Sequence, residues 1–355
     1  MSGGQTREAI KFLTRCTILV MALATVAPAF ALPPAGLSDS GQPGNVVIYP
    51  KFVNLPAVNV DGNVVPRTEI EIGAICPVGK VCTEHQSVTV HFQWICPGTE
   101  GVNSNICPGS AFAVVLSVNG KLAFSADGIP INGNSPRVPA APCPRGYLIG
   151  SASSDQPNFD GLIGNAVIRG PNLGAGPNAG SSTSLSAYQA ITMQANTALT
   201  GVQIGDVRFD KTALGAPLPN VLSETFLVFL TLDVRSNRPN NPTFVPLNFY
   251  NESSGLPSST DPNFESRLST FWEFVCWDQV QLSTIDPNLT QAFMGTRKGV
   301  VIAGPARKVQ SGAPGDSTGP TTLIGLVETI EGTAANSFQE RKYNFNMSTN
   351  GVPIP

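Results

Sequence analysis

Charge is what this sequence has least of. Asp, Glu, Lys and Arg together make up 13% of its 355 residues, and the net charge is −3. That is about half the charged share usual in globular chains. Lys and Arg form no basic block, so the electrostatic footprint required by nucleic acid or by an anionic membrane surface is missing, and no nucleic-acid partner is expected. Histidine is nearly absent, with only His85 and His91. There is no Cys-x-x-Cys pair, no Gly-x-Ser-x-Gly turn, no phosphate-binding glycine loop and no His-Glu-x-x-His helix. The signatures of zinc modules, serine hydrolases, nucleotide enzymes and zinc proteases are thereby excluded. Long apolar runs are also missing beyond the N-terminal region. The longest uncharged one, Phe226 to Leu232, has Thr231 inside it, whereas a membrane-spanning helix takes about 20 apolar residues.

What the sequence does have begins at its N-terminus. Arg7, Lys11 and Arg15 precede the apolar stretch Cys16 to Ala27, then Pro28 and the triplet Ala29-Phe30-Ala31. Cations held on the cytoplasmic side, a short apolar helix for the translocon and small residues for the peptidase pocket define a signal peptide. Cleavage after Ala31 is expected, giving an exported chain that is periplasmic, cell-surface or extracellular. Cys16 sits at the start of the apolar run and leaves with the leader.

Six of the seven cysteines then remain: Cys76, Cys82, Cys96, Cys107, Cys143 and Cys276. An even count in an exported chain predicts disulfides, although sequence alone leaves fifteen connectivities open. Turn-rich intervals favour Cys76–Cys82 and Cys96–Cys107 as short staples, with Cys143–Cys276 as the long-range bridge. No cofactor and no metal site are expected at the cysteines.

Glycine and proline are plentiful, at 35 and 31 residues, and predict many turns and few long helices. From Ser87 to Cys96, Val88, Val90, Phe92 and Trp94 alternate with polar residues, the pattern of a half-buried strand. Trp272, Phe274, Cys276, Val280 and Leu282 share a second parity. Phe226 to Val234 is apolar on both parities and reads as a central strand covered on both faces. Val60-Asp61-Gly62-Asn63 and Val118-Asn119-Gly120-Lys121 predict tight hairpin turns. Ala187 to Ala195 and Pro287 to Met294 read as short helices, the second with Asp286 as N-cap. The fold class is therefore mainly β, an antiparallel sandwich-like architecture with a few short helices, stapled by disulfides. An outer-membrane barrel would need many regular strands of about ten residues and aromatic girdles, which this irregular pattern does not supply.

The domain reading is a signal peptide over 1–31, a β-rich region over 32–170, a Gly/Ser-rich loop or linker over 171–185 and a second β-rich region over 186–355. The alternative is one continuous sandwich.

Candidate chemistry is sparse, and catalytic residues are not identifiable. Were the strand continuous, His85 and His91 would lie about 20 Å apart, which suits two surface histidines rather than one metal site. Gln156, Asn158, Asp160 and Gly161 fall at positions one, three, five and six of a calcium loop, but Val167 occupies position twelve, where a bidentate Glu belongs. A structural turn accounts for this stretch better than structural calcium does. Asp206 with Asp210, or Glu273 with Asp278, are the carboxylate pairs a glycan hydrolase could use. Trp94 and Trp272 share parity with core residues, whereas Trp277 has the opposite parity and is the candidate exposed aromatic for stacking on a sugar ring. Asn251, Asn288 and Asn346 begin glycosylation sequons.

Phe271-Trp272-Glu273-Phe274-Val275-Cys276-Trp277, Asp286-Pro287-Asn288-Leu289-Thr290, Met294-Gly295-Thr296-Arg297-Lys298-Gly299 and Leu323-Ile324-Gly325-Leu326-Val327-Glu328 resemble segments of uncharacterised exported bacterial proteins. The resemblance lies mainly in the C-terminal third. It implies bacterial export, no mechanism and no functional residue. The function these readings favour is a secreted or cell-surface non-catalytic binding or structural module, with a surface glycan or protein as partner. A secreted glycan-acting hydrolase with a carboxylate pair is the alternative.

Overall fold

A computed structural model describes residues 43–55, 66–83, 85–98, 107, 109–133, 135–152, 159–171, 182–193, 214–218, 222–232, 242–251, 267–294, 299–308, 319–333 and 337–344. All the described residues belong to one compact unit. The leader, the Asp61-Gly62 turn and the interval 172–181 lie outside the described residues.

The described residues are mainly antiparallel β and form four sheets. Sheet I has the order β5-β2-β7-β8, from β2 (Arg67–Ala74), β5 (Gly120–Ser125), β7 (Leu162–Pro171) and β8 (Ser182–Gln189). Sheet II has the order β4-β3-β6-β1-β9, from β1 (Val46–Val53), β3 (Ser87–Ile95), β4 (Gly109–Ser117), β6 (Arg145–Ala152) and β9 (Ile191–Met193). Sheet III runs β14-β11-β18-β19, from β11 (Thr225–Leu230), β14 (Trp277–Gln281), β18 (Ile324–Thr333) and β19 (Ser337–Asn344). Sheet IV runs β10-β15-β12-β16-β17, with β13 also paired to β12; its strands are β10 (Leu214–Leu218), β12 (Thr243–Asn251), β13 (Arg267–Phe274), β15 (Gly299–Ala303), β16 (Arg307–Lys308) and β17 (Gly319–Pro320).

Side-chain alternation stacks these sheets in the order I, II, III, IV. Tyr49, Phe92, Trp94 and Leu148 of sheet II meet Ile70, Ile72 and Phe124 of sheet I in the first core. The opposite face of sheet II sends Val46, Ile48, Tyr147 and Ile149 into a second core with Val228, Leu230, Trp277 and Leu326 of sheet III. The far face of sheet III sends Leu227, Phe229 and Val327 against Val245, Leu247, Phe249 and Val301 of sheet IV. The two middle sheets are therefore covered on both faces, which explains why β11 is apolar on both parities.

Several local expectations hold. β3 spans Ser87–Ile95 with Val88, Val90, Phe92 and Trp94 buried and His91 exposed. Asn119 adopts the positive φ of 63° that its turn requires. That turn is nevertheless not a hairpin. β4 pairs with β3, and β5 pairs with β2 in the facing sheet, so Val118-Asn119 arches between layers. The Asn119 amide donates to the Ala74 carbonyl, and its Oδ1 accepts from the Cys76 amide at 3.1 Å.

The helix expected over Ala187 to Ala195 is instead the end of β8, Ala190 and β9. Its residues pair with the preceding strand β7 and with β1, more than 140 residues earlier in the sequence. The second expected helix is shorter than Pro287 to Met294. Asp286 Oδ1 accepts from the Asn288 amide at 2.8 Å and closes a turn, while the helix proper is Gln291–Met294, where Thr290 Oγ1 accepts from the Phe293 amide at 3.2 Å.

The six cysteines form three pairs, each with a Cα–Cα distance of 5.9 Å: Cys76–Cys82, Cys96–Cys143 and Cys107–Cys276. The first is the expected short staple. The other two replace Cys96–Cys107 and Cys143–Cys276. Cys96 follows β3 and Cys143 precedes β6, and these strands are neighbours in register, with Ile95 opposite Tyr147. Pairing across adjacent strands brings together cysteines 47 residues apart, a proximity that sequence spacing cannot reveal. Cys107 is then left to reach Cys276 at the corner between β13 and β14, tying the N-terminal sheets to the C-terminal ones.

Candidate functional site

The corner at Cys276 decides the fate of the predicted aromatic. β13 ends at Phe274, Val275 and Cys276 bend the chain out of sheet IV, and β14 begins at Trp277 in sheet III. The bend resets the side-chain phase, and both faces of sheet III are covered, so opposite parity no longer means exposure to solvent. Trp277 is only 4% exposed and its Nε1 donates to the Pro50 carbonyl at 2.9 Å. The expected exposed, ligand-facing tryptophan is an interlayer anchor.

Trp94 is fully buried and donates to the Pro139 carbonyl. Trp272 is partly buried, with its Nε1 donating to Asp278 Oδ2 at 2.8 Å. Asp278 is thus committed to an indole on the inner side of β13, while Glu273 has the opposite parity on that strand and is exposed. The two carboxylates do not face each other. Asp206 and Asp210 lie outside the described residues, as does most of the calcium-loop stretch; Asp160 Oδ1 stands 3.9 Å from Lys80 Nζ. His85 and His91 are both exposed, and the described residues contain no group of three or more His, Cys, Asp or Glu side chains able to hold a metal. Of the sequons, Asn288 is exposed and Asn251 donates to the Phe293 carbonyl at 3.0 Å; Asn346 lies outside the described residues.

Two constellations that sequence reading missed stand out. The first is the outer face of sheet IV. Register places Phe244 opposite Glu273, Pro246 opposite Phe271 and Asn248 opposite Ser269 on β12 and β13, with Arg307 of β16 opposite Phe244. The Phe244 and Phe271 rings stack with centroids 5.0 Å apart, and the Arg307 guanidinium lies 4.9 Å above the Phe244 ring. Phe271 is 54% exposed. Ser269 donates to Asn248 Oδ1 at 2.8 Å. The exposed Phe271 ring, backed by Phe244 and flanked by a cation, a carboxylate and an amide–hydroxyl pair, offers an apolar face and hydrogen-bonding groups on one surface. The available signal was the parity of β13, where Ser269, Phe271 and Glu273 alternate with Trp272 and Phe274.

The second lies between sheets II and III. Lys51 Nζ stands 2.7 Å from Glu328 Oε2, with side chains 5% and 0% exposed. Gln279 Nε2 donates to the same Glu328 Oε2 at 3.0 Å, and Arg145 Nη1 donates to Gln279 Oε1 at 3.3 Å. A β-bulge makes this possible. Three steps from Tyr49 to Phe52 match two from Leu148 to Gly146, so Tyr49 and Phe52 both face sheet I and Lys51 turns toward sheet III. Nearby, the Tyr147 hydroxyl donates to the Thr231 carbonyl at 2.9 Å, and the Tyr188 hydroxyl donates to the Lys51 carbonyl.

Burial pushes the phenols of Tyr147 and Tyr49 well above their ordinary value of 10.0, with Glu71 adding to the shift at Tyr49. In Tyr49 the hydroxyl donates to the Glu71 carbonyl at 2.8 Å.

No protein-family model matches the chain, and no curated protein matches it either. Among the described residues no helix is long and apolar enough to cross a membrane.

Proposed function

We propose that this chain is an exported, non-catalytic β module that holds surface glycan on the outer face of sheet IV. The observation that carries the reading is the solvent-exposed Phe271 ring, stacked on Phe244 with Arg307 over the Phe244 ring and bordered by Glu273, Asn248 and Ser269. Sugar rings present C–H faces to aromatic rings and hydroxyls to carboxylate, amide and guanidinium groups, and this face supplies both kinds of contact without a paired acid and base. Three disulfides support export, since such bonds persist in oxidising compartments.

Affinity electrophoresis of the full chain through gels containing soluble polysaccharides tests the reading. At least one polysaccharide should retard the wild type, and Phe271→Ala should lose about tenfold in affinity, the ~1.4 kcal/mol worth of one aromatic contact. The thermal midpoint should fall by only a few degrees, because Phe271 is more than half exposed and its loss removes one cross-strand aromatic contact. Absence of retardation across a panel of polysaccharides, or equal retardation of the variant, would remove the glycan reading.

A further inference from the structure

The polar cluster between sheets II and III has more order than a buried ion pair needs. A lysine amine and a primary carboxamide converge on one carboxylate oxygen: Lys51 Nζ at 2.7 Å and Gln279 Nε2 at 3.0 Å both approach Glu328 Oε2. The carbonyl end of the same carboxamide accepts from the Arg145 guanidinium. These are the parts of an acyl-transfer site, with a nucleophile, a leaving group, a proton carrier and a donor at the oxygen where charge develops.

We propose that Lys51 and Gln279 join in an intramolecular amide bond, with Glu328 carrying the protons. The nucleophilic form of lysine is the neutral amine. A proton passed from Nζ to Oε2 along their hydrogen bond leaves that amine beside a neutral acid, and burial favours the exchange because neither charge is solvated. Nζ then attacks Gln279 Cδ, and Arg145 stabilises the negative charge that forms on Oε1. As the tetrahedral centre collapses, the Cδ–Nε2 bond breaks and Glu328 delivers its proton to Nε2, which departs as ammonia. The second proton on Nζ returns to the carboxylate. One N–C bond forms and one breaks, no oxidant or reductant takes part, and loss of ammonia draws the reaction forward. Fixing the groups on β1, β14 and β18 makes the step unimolecular, an advantage worth effective molarities of about 10⁵ M or more in well-oriented systems. The product ties sheet II to sheet III independently of the disulfides. It rests on a different part of the molecule from the glycan face, so either can fail alone.

Peptide mapping of the full chain, recovered from an oxidising compartment and then reduced and alkylated, tests the bond. Trypsin should leave the Lys51–Phe52 bond intact in most molecules and release a branched peptide that carries Gln279 and lacks one ammonia. The branched peptide decides the matter, because Asn–Gly segments such as Asn119-Gly120 can also lose ammonia by cyclising. Glu328→Gln should release linear peptides only. Complete cleavage after Lys51 in the wild type, with the Gln279 peptide unbranched, overturns the proposal, and that result needs no variant to fold. Branched peptide at wild-type yield in Glu328→Gln would overturn the role assigned to the carboxylate.

Discussion

At the scale of single residues, the informative side chains are those whose polar tips are spent inside the protein. Trp277 fills the seam between sheets II and III and donates its indole N–H to Pro50, a residue 227 positions away in sequence. Trp277→Phe keeps most of the apolar volume but leaves a buried carbonyl unpaired. It should therefore cost about 1–3 kcal/mol in chemical denaturation, and it should leave polysaccharide retardation unchanged if the glycan face is on sheet IV. Asn119 is a second case. It holds φ at 63° and accepts from the Cys76 amide. Asn119→Ala loses the acceptor and strains the left-handed backbone, for an expected loss of about 1–2 kcal/mol from the strain alone. Asn119→Gly removes the strain and should lose less. Urea midpoints of the two variants give the comparison directly, and equal midpoints would mean that backbone conformation is not the limiting factor at this turn.

At the scale of elements, the pairing of strands explains both what the sequence disclosed and what it withheld. Alternation within β3 and the two-sided apolar character of β11 were legible because each depends only on residues within one strand. The bulge in β1 was not. Counting by twos from Tyr49 puts Lys51 on the core face with it, and only the register against β6 shows the phase slipping. The same holds for the Asn119-Gly120 turn, which is readable as a turn, whereas the sheet each flanking strand joins is set by partners far away. Trp277 failed for a third reason, a change of sheet in mid-sequence at Val275-Cys276. Disulfide choice follows the strands as well. Cys96–Cys143 spans neighbours in sheet II, and Cys107–Cys276 closes a loop of 169 residues. On loop-closure grounds, removing the Cys107–Cys276 pair as a double serine variant should cost about 5 kcal/mol, while removing Cys76–Cys82 should cost only about 2 kcal/mol. Non-reducing peptide maps check the connectivity, and denaturation of the two double variants checks the order. Equal losses would show that strain or residual structure, rather than loop length, sets the contribution.

At the scale of the whole molecule, four layers mean that tyrosines well inside the stack have no route to water until it opens. Tyr147 lies between sheets II and III and Tyr49 between sheets I and II, and burial raises both phenols above 10.0. In the unfolded chain these groups ionise near 10, whereas in the folded protein they stay neutral. Above that pH the folded state holds more protons than the unfolded state, so stability falls as pH rises. It is fully retained below pH 10. The slope should reach about 1.4 kcal/mol per pH unit for each of the two tyrosines. Alkaline titration followed by phenolate absorbance should show at least two of the five tyrosines ionising only together with loss of the fold. Tyr147→Phe should make the alkaline fall shallower by one tyrosine's share, although it lowers stability at neutral pH through loss of the bond to Thr231. Reversible ionisation of all five tyrosines near pH 10 in a folded protein would mean that water reaches the seams between the sheets. In that case neither the four-layer packing nor the burial of the Lys51–Glu328 pair would stand.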